Sequence, residues 1–272
     1  MSFSNGTTSV ESSQSNNVLA PVVAADVAGK SFLIRTGQFF FKYRDVLSPL
    51  VFIGLILLTH PRWFRGDMRT DMVSDALGLL LILTGQGLRA AVIGFAYIKR
   101  GGKDKKVYAE TLVTEGFFAH SRNPLYVGNY LTILGLFVIH NSPWAYLIGF
   151  AFYTIMYWTI VLAEEDFLRG KFGADYQEYC RRVNRFVVSF KGLGKSLAGM
   201  GYDWKRFIRK EYGTTFSCFS TVLGLLGWER YRNDGWPASR EVFAILAGVW
   251  SLMLIAYVTA RIAKKQGWLG RG

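Results

Sequence analysis

The sequence predicts an all-α protein, a polytopic membrane helical bundle of about six spans. Of its 272 residues 51% are hydrophobic, and they gather in blocks long enough to cross a bilayer. The net charge of +13 comes from basic residues that fall between those blocks. A basic balance alone would also suit a nucleic-acid binder, but the block pattern favours a membrane protein with basic loops and no nucleic-acid partner.

The predicted elements follow one another along the chain. Residues 1–30 are rich in Ser and Asn and lack the basic start of a signal peptide, so we expect a disordered tail. Residues 31–45 mix aromatic with basic side chains, as helices lying in the membrane interface do. The predicted spans are 46–59, 73–98, 125–139, 144–163, 214–228 and 242–260. The fifth is short and could instead be re-entrant.

The distribution of charge predicts the orientation. Segments 1–45, 99–124, 164–214 and 261–272 hold 25 of the 32 Lys and Arg residues. Cytoplasmic loops carry such an excess, so we expect the N-terminus and these loops in the cytoplasm. The segments that flank the hairpin of spans three and four then meet at that face.

The first of these two segments contains a helix-start motif. Pro124 suits the first turn of a helix, and Asn123 is well placed as its cap. Free N–H groups at a helix start can hold a carboxylate. Tyr126 and Gly128 follow, and Gly128 permits close approach of a ligand or a neighbouring helix. Arg122 precedes them, and the motif could also be only an anchored helix start.

The second segment contains paired carboxylates, Glu164 and Glu165, at the end of a span. Acidic residues there oppose the helix dipole, which points to a bound cation or ribose hydroxyls, or to plain ion pairs. Tyr176 and Tyr179 lie three apart on one helical face. They suit a cage for a sulfonium or ammonium cation, or ordinary interfacial aromatics.

Arg89 interrupts the second span about 15 Å from its end by helix rise. A charge at that depth costs about 3 kcal/mol, so it either faces a cavity or substrate or reaches back to the headgroups. The two cysteines and three histidines have no ligand spacing, so we expect no metal.

From 87 to 186 the chain resembles the isoprenylcysteine carboxyl methyltransferase and phospholipid methyltransferase superfamily. The matching pieces are GLRAAVIG, ETLVTEGFFAHSRNPLYVG and EEDFLRGKFGADYQEYCRRVNRF. The resemblance covers roughly 100 residues and implies a cofactor pocket that faces the cytoplasm. We expect these motifs to form the core of a membrane methyltransferase domain over 31–213, and the apolar runs outside the resemblance predict additional membrane helices over 214–272. The resemblance further implies S-adenosylmethionine as methyl donor and a lipid-like or membrane-embedded acceptor that bears a carboxylate, amine or thiol.

The resemblance also implies roles for individual residues. The cofactor-binding set is Asn123, Pro124, Tyr126, Gly128, Glu164, Glu165, Tyr176 and Tyr179. Arg89 and Arg122 would orient an anionic acceptor, and Glu165 would act as base for an amine. Asn123 stands where the family usually has His, and an amide cannot titrate near neutral pH.

Two other classes compete with this interpretation. Sterol reductases share a similar fold and an Arg-His-x-x-Tyr motif, which would imply an NADPH-dependent membrane oxidoreductase. The Glu pair followed by Phe-Gly-x-x-Tyr-x-x-Tyr favours the methyltransferases. A non-catalytic membrane scaffold is the second alternative, since Asn123 departs from the family motif.

Overall fold

The protein is described by a computed structural model that covers residues 12–61, 68–95 and 108–270. The described part of the chain is built from helices: α1 (Ser12–Leu58), α2 (Met68–Phe95), α3 (Pro124–His140), α4 (Phe150–Arg182), the short α5 (Leu193–Leu197) and α6 (Trp204–Lys265). A 3-10 turn, Gly116–Ala119, precedes α3, and a π-helical turn, Ala145–Gly149, precedes α4. The prediction of an all-α fold is confirmed for these residues.

Within the described part of the chain, three helical stretches are long and apolar enough to cross a membrane, namely Arg69–Phe95, Ala145–Arg182 and Trp204–Lys265. Pro124–His140 is apolar but shorter. These lengths agree with a membrane bundle, whereas the six predicted crossings stay a prediction. The second predicted span ended at residue 98, and its last three residues lie outside the described part of the chain.

Helix α1 differs from its prediction. A single helix runs from Ser12 to Leu58, where the sequence predicted a disordered tail, an interfacial helix and a separate span. Ala20, Ala24, Ala25 and Ala28 favour helix in the stretch that joins these pieces, whereas Pro21 opposes it. Residues 1–11 of the predicted tail lie outside the described residues.

Helices α2 and α3 pack closely because glycines face each other along their contact. A Cβ on Gly128 would lie 2.8 Å from the carbonyl oxygen of Gly85. A Cβ on Gly78 would lie 2.8 Å from the carbonyl oxygen of Gly135. Small residues permit this approach of two backbones. Asn141 ends α3 in the left-handed conformation, with φ 45°, and forms the predicted tight hairpin.

Helix α6 is a hairpin of two limbs, 204–234 and 236–265. It breaks at Gly235, where φ is 74°, a value that glycine adopts readily. The limbs run antiparallel, because Phe216 stacks on Tyr257 at 4.6 Å and Trp250 Nε1 donates to Ser220 Oγ at 3.1 Å. The segment 214–228 is therefore continuous with the charged helix before it, and a local re-entrant turn there is wrong.

Candidate functional site

A cavity of about 880 Å³ lies among α1, α2, α3, α4 and the first limb of α6. Its wall includes Asn123, Pro124, Tyr126 and Glu164. Arg89 also contributes to this wall. The structure thus brings together five of the predicted site residues, which come from three different helices.

The start of α3 forms one side of the cavity. Pro124 occupies the first turn, as its missing N–H group allows. Asn123 is the N-cap residue, but its side chain does not bond to the helix. Instead its amide Nδ2 donates to the carbonyl oxygen of Arg185 at 3.2 Å. The amide therefore ties α3 to the segment after α4, rather than capping α3 as predicted.

Glu164 and Tyr126 form a polar edge of the cavity. The Tyr126 hydroxyl donates to Glu164 Oε1 at 2.8 Å and accepts from Arg44 Nη1 at 3.1 Å. The Tyr157 ring lies 5.7 Å from the Tyr126 ring, centroid to centroid. A carboxylate beside two aromatic rings can hold a cation, since both attract positive charge.

Glu165 faces away from this cavity. Arg185 donates to both of its carboxylate oxygens, at 2.9 and 2.7 Å. Arg122 lies 3.5 Å from Oε1. These hydrogen bonds raise the pKa of Arg185, whose guanidinium also stacks over Trp158 at 5.2 Å. Glu165 therefore holds the segment after α4 in place, at a position behind the Glu164 wall.

Arg89 is bound by an acidic partner within the bundle. Its Nε and Nη2 donate to the carboxylate of Glu211 on α6, at 2.8 to 3.0 Å, and Nη1 donates to Asn129 on α3. Both members of the ion pair are nearly buried. The Glu211 carboxylate balances the charge of Arg89, and the Arg89 side chain forms part of the cavity wall.

Three other predicted site residues pack outside this cavity. Tyr176 and Tyr179 lie on one face with ring centroids 6.0 Å apart, buried in an apolar cluster with Leu168. The Tyr179 hydroxyl donates to the carbonyl oxygen of Phe118 at 2.7 Å. Gly128 lies against Arg89 and Gly85 of α2, so it serves the helix contact.

The first limb of α6 supplies a wall that sequence reasoning missed. Arg206, Lys210 and Glu211 line the cavity together with Thr214 and Ser217. Arg206 also borders a second cavity of about 430 Å³. The sequence feature that could have indicated this wall is Arg89, because a cation within a span requires an acidic partner. Glu211 is a candidate for that partner, since it lies at the edge of an apolar run.

Fold and cavity together define a helical membrane protein with a partly polar cavity among its helices. Residues 73–175 match the family model for phospholipid methyltransferase, which confirms the resemblance inferred from the motifs. The matched stretch contains all of α3 and most of α2. It also contains α4 as far as residue 175, which includes Glu164 and Glu165. It ends before Tyr176 and before all of α6.

Curated relatives agree with that match. Protein-S-isoprenylcysteine O-methyltransferase of Xenopus laevis is 29% identical over 47% of this chain and 45% of its own length. The Saccharomyces cerevisiae protein of the same name is 25% identical over 58% of this chain and 66% of its own. The cobalt-zinc-cadmium resistance protein CzcN of Cupriavidus metallidurans is 33% identical over 49% and 57%.

The chain spans about half the length of the first curated relatives that it matches. No solved structure matches the chain significantly. The family model covers the stretch that carries the start of α3 and Glu164, and it does not extend to α6.

Proposed function

We propose that the protein is an integral membrane methyltransferase that uses S-adenosylmethionine and methylates a lipid-like or membrane-embedded acceptor. One observation carries this proposal. The start of α3 and Glu164 of α4 are separated by 40 residues of chain, lie within the matched stretch and line one cavity. The curated relatives from frog and yeast are methyltransferases by name, which supports the same class of reaction.

The residues of the cavity fit this cofactor. The cavity volume of about 880 Å³ lies in the usual range of small-molecule pockets, so the cavity can hold a molecule the size of S-adenosylmethionine. Glu164 offers a carboxylate for an ammonium group, and Tyr126 and Tyr157 offer ring faces for a cation. Arg44 offers positive charge for the carboxylate of the cofactor. When bound, S-adenosylmethionine would supply an electrophilic methyl group on a sulfonium.

The protein's own contribution to the reaction would be binding, orientation and exclusion of water. Helices on several sides enclose the cavity, and positioning of this kind supplies much of the rate in a displacement. A thiolate or carboxylate acceptor needs no base. For an amine, the carboxylate in the cavity wall is Glu164, so that role moves from Glu165 to Glu164 in our proposal.

The acceptor's anionic group would meet the basic side of the cavity. Arg89 and Arg122 were predicted for this role, but each lies beside a carboxylate, Glu211 and Glu165 respectively. They would act as positioning residues. Lys210 of α6 then becomes the group that faces an acceptor with a phosphate or carboxylate.

The experiment is methyl transfer in nanodiscs. Purified protein would receive S-adenosylmethionine with a labelled methyl group and a total lipid extract, and label in the organic phase would be counted. We expect incorporation that Glu164→Gln reduces at least about tenfold, since a buried charged contact contributes about 1.5–3 kcal/mol. Glu178→Gln is the matched control, because Glu178 lies on the same helix and is exposed.

Other outcomes would contradict the proposal. NADPH consumption without methyl incorporation would indicate the reductase class. Folded protein that binds neither cofactor would indicate a scaffold. CzcN is named for metal resistance, and its name does not identify a methyl acceptor. Thiol, amine and carboxylate lipids would therefore be assayed side by side.

A further inference from the structure

Three carboxylates meet at the far end of α2, away from the cavity. Asp71 and Asp75 are one turn apart on α2, and Glu229 comes from the first limb of α6. One oxygen from each carboxylate lies within 4.8 Å of the other two. Asp71 and Glu229 are 5% and 4% exposed, and Asp75 is half-buried.

This cluster is separate from the candidate active site. Asp75 and Arg89 are 14 residues apart on one helix, which is about 21 Å by helix rise. The two sites are also far apart along α6, because Glu211 lines the cavity and Glu229 of the cluster lies five helical turns after it. The two sites therefore occupy opposite ends of the same pair of helices.

The cluster contains oxygens that the described protein does not satisfy. Glu229 Oε1 and Asp75 Oδ1 are buried and have no hydrogen-bond partner among the described residues. The charged neighbours that act most on Glu229 are Asp75 and Asp71, both acidic. The Glu229 side chain also shares a hydrogen bond with Asp71, so Oε1 is the Glu229 oxygen that lacks a partner among the described residues. A buried carboxylate without a partner is costly, so such a group normally coordinates a cation or carries a proton.

The helix dipole does not account for the arrangement. An acidic residue in the first turn of a helix is favourable, which explains Asp71 on α2. Glu229 lies near the C-terminal end of the first limb of α6, where an acidic residue gains nothing from the helix dipole. Its carboxylate comes to the two aspartates from another helix, which points to something held between them.

We propose that Asp71, Asp75 and Glu229 form a site for a hard divalent cation that clamps α2 to the first limb of α6. An all-oxygen set of ligands favours Ca²⁺, Mn²⁺ or Mg²⁺ over softer metals. Calcium–oxygen distances near 2.4 Å place opposite ligand oxygens about 5 Å apart, which agrees with the observed spacing. Water would complete the coordination shell.

The sequence predicted no metal site, and the reason is the distance along the chain. Asp71 and Asp75 alone look like ordinary acids near a helix start, and Glu229 lies on the last helix. A cation here would brace the limb whose other end carries Glu211 and Lys210 in the cavity wall. The site would thus be structural, and its test does not depend on activity.

The test is metal binding to the purified full chain in detergent, first stripped with a chelator. Electron paramagnetic resonance would follow free Mn²⁺ during a titration, with Ca²⁺ added as competitor. We expect one Mn²⁺ per chain, displaced by Ca²⁺, and a rise in Tm of about 5 °C or more at 100 times Kd. Glu229→Gln and Asp75→Asn should weaken binding at least tenfold, whereas the exposed Glu241→Gln should not.

The amide variants also keep the test decisive. Gln and Asn mimic protonated carboxyls and relieve repulsion, so the variants should fold, and their size-exclusion profile would check this. Folded protein without saturable Mn²⁺ or Ca²⁺ binding at about 10 mM, weaker than known calcium modules, would overturn the proposal. Equal loss of binding in Glu241→Gln would overturn it as well.

Discussion

At the scale of single residues, the interior of this protein is organised by charge pairs. Arg89 binds Glu211, and Glu165 binds Arg185 with Arg122 close by. A buried charge without a partner would be far more costly than either pair. These pairs fix the helices around the cavity, while Glu164 and Tyr126 lie in its wall.

The Arg89–Glu211 pair gives a prediction on stability. Arg89→Ala should lower the free energy of unfolding by about 3–5 kcal/mol, because it leaves the Glu211 carboxylate buried without its main partner. Arg182→Ala is the control, since its pair with Glu178 is exposed and should contribute at most about 1 kcal/mol. Denaturant titration in detergent would measure both, and equal small losses would contradict the buried role.

Tyr126 gives a prediction on binding. Tyr126→Phe removes the hydrogen bond to Glu164 and keeps the ring beside Tyr157. We expect affinity for S-adenosylhomocysteine to fall about three- to tenfold, in line with one hydrogen bond. Tyr231→Phe, an exposed tyrosine on α6, is the control. An unchanged affinity in Tyr126→Phe would place the cofactor elsewhere.

At the scale of helices, the close contact of α2 and α3 depends on their glycines. Gly78→Ala would place a Cβ 2.8 Å from the carbonyl oxygen of Gly135. Backbone cannot yield easily, so we expect a loss of about 1–3 kcal/mol in stability. Gly87 lies on the same helix with no atom within 4 Å of an added Cβ.

Gly87→Ala is therefore the matched control for that contact. It should stabilise the protein slightly, because alanine is favoured over glycine inside a helix by up to about 1 kcal/mol. Thermal unfolding of both variants would separate packing from helix propensity. If Gly78→Ala were as stable as Gly87→Ala, the close approach of α2 and α3 would be wrong.

At the scale of the whole molecule, the account predicts an orientation in the membrane. Single cysteines at Lys195 and Pro143, both exposed, would lie on opposite sides if the basic segments are cytoplasmic. Cys180 and Cys218 would first be replaced. A membrane-impermeant maleimide should label Pro143→Cys in intact cells and Lys195→Cys only in inverted vesicles. The reverse pattern would overturn the topology.

Local rules predicted the start of α3 at Pro124, which follows from the chemistry of helix termini. They did not predict the bounds of α1 or of the two limbs of α6. The sequence also found Glu164 and Tyr126, which the structure places in one cavity wall. It could not tell that adjacent Glu164 and Glu165 face different surroundings, since each residue of a helix turns about 100° from the last.

The sequence alone did not predict which distant segments of the chain contact each other. Glu211 lies 122 residues from Arg89, outside every recognised motif, and yet completes the ion pair at the cavity. Tyr176 and Tyr179 shared a face as predicted, but that face packs in an apolar cluster. Tertiary packing decides such cases, and spacing along one helix contains no information about it.

The measurement that tests the central claim most directly is calorimetric titration of the detergent-purified protein with S-adenosylhomocysteine. We predict one binding event per chain that Glu164→Gln weakens at least about tenfold and Glu178→Gln leaves unchanged. Folded protein that fails to bind S-adenosylhomocysteine, or binds equally well in Glu164→Gln, would contradict the assignment of this cavity to the methyl donor.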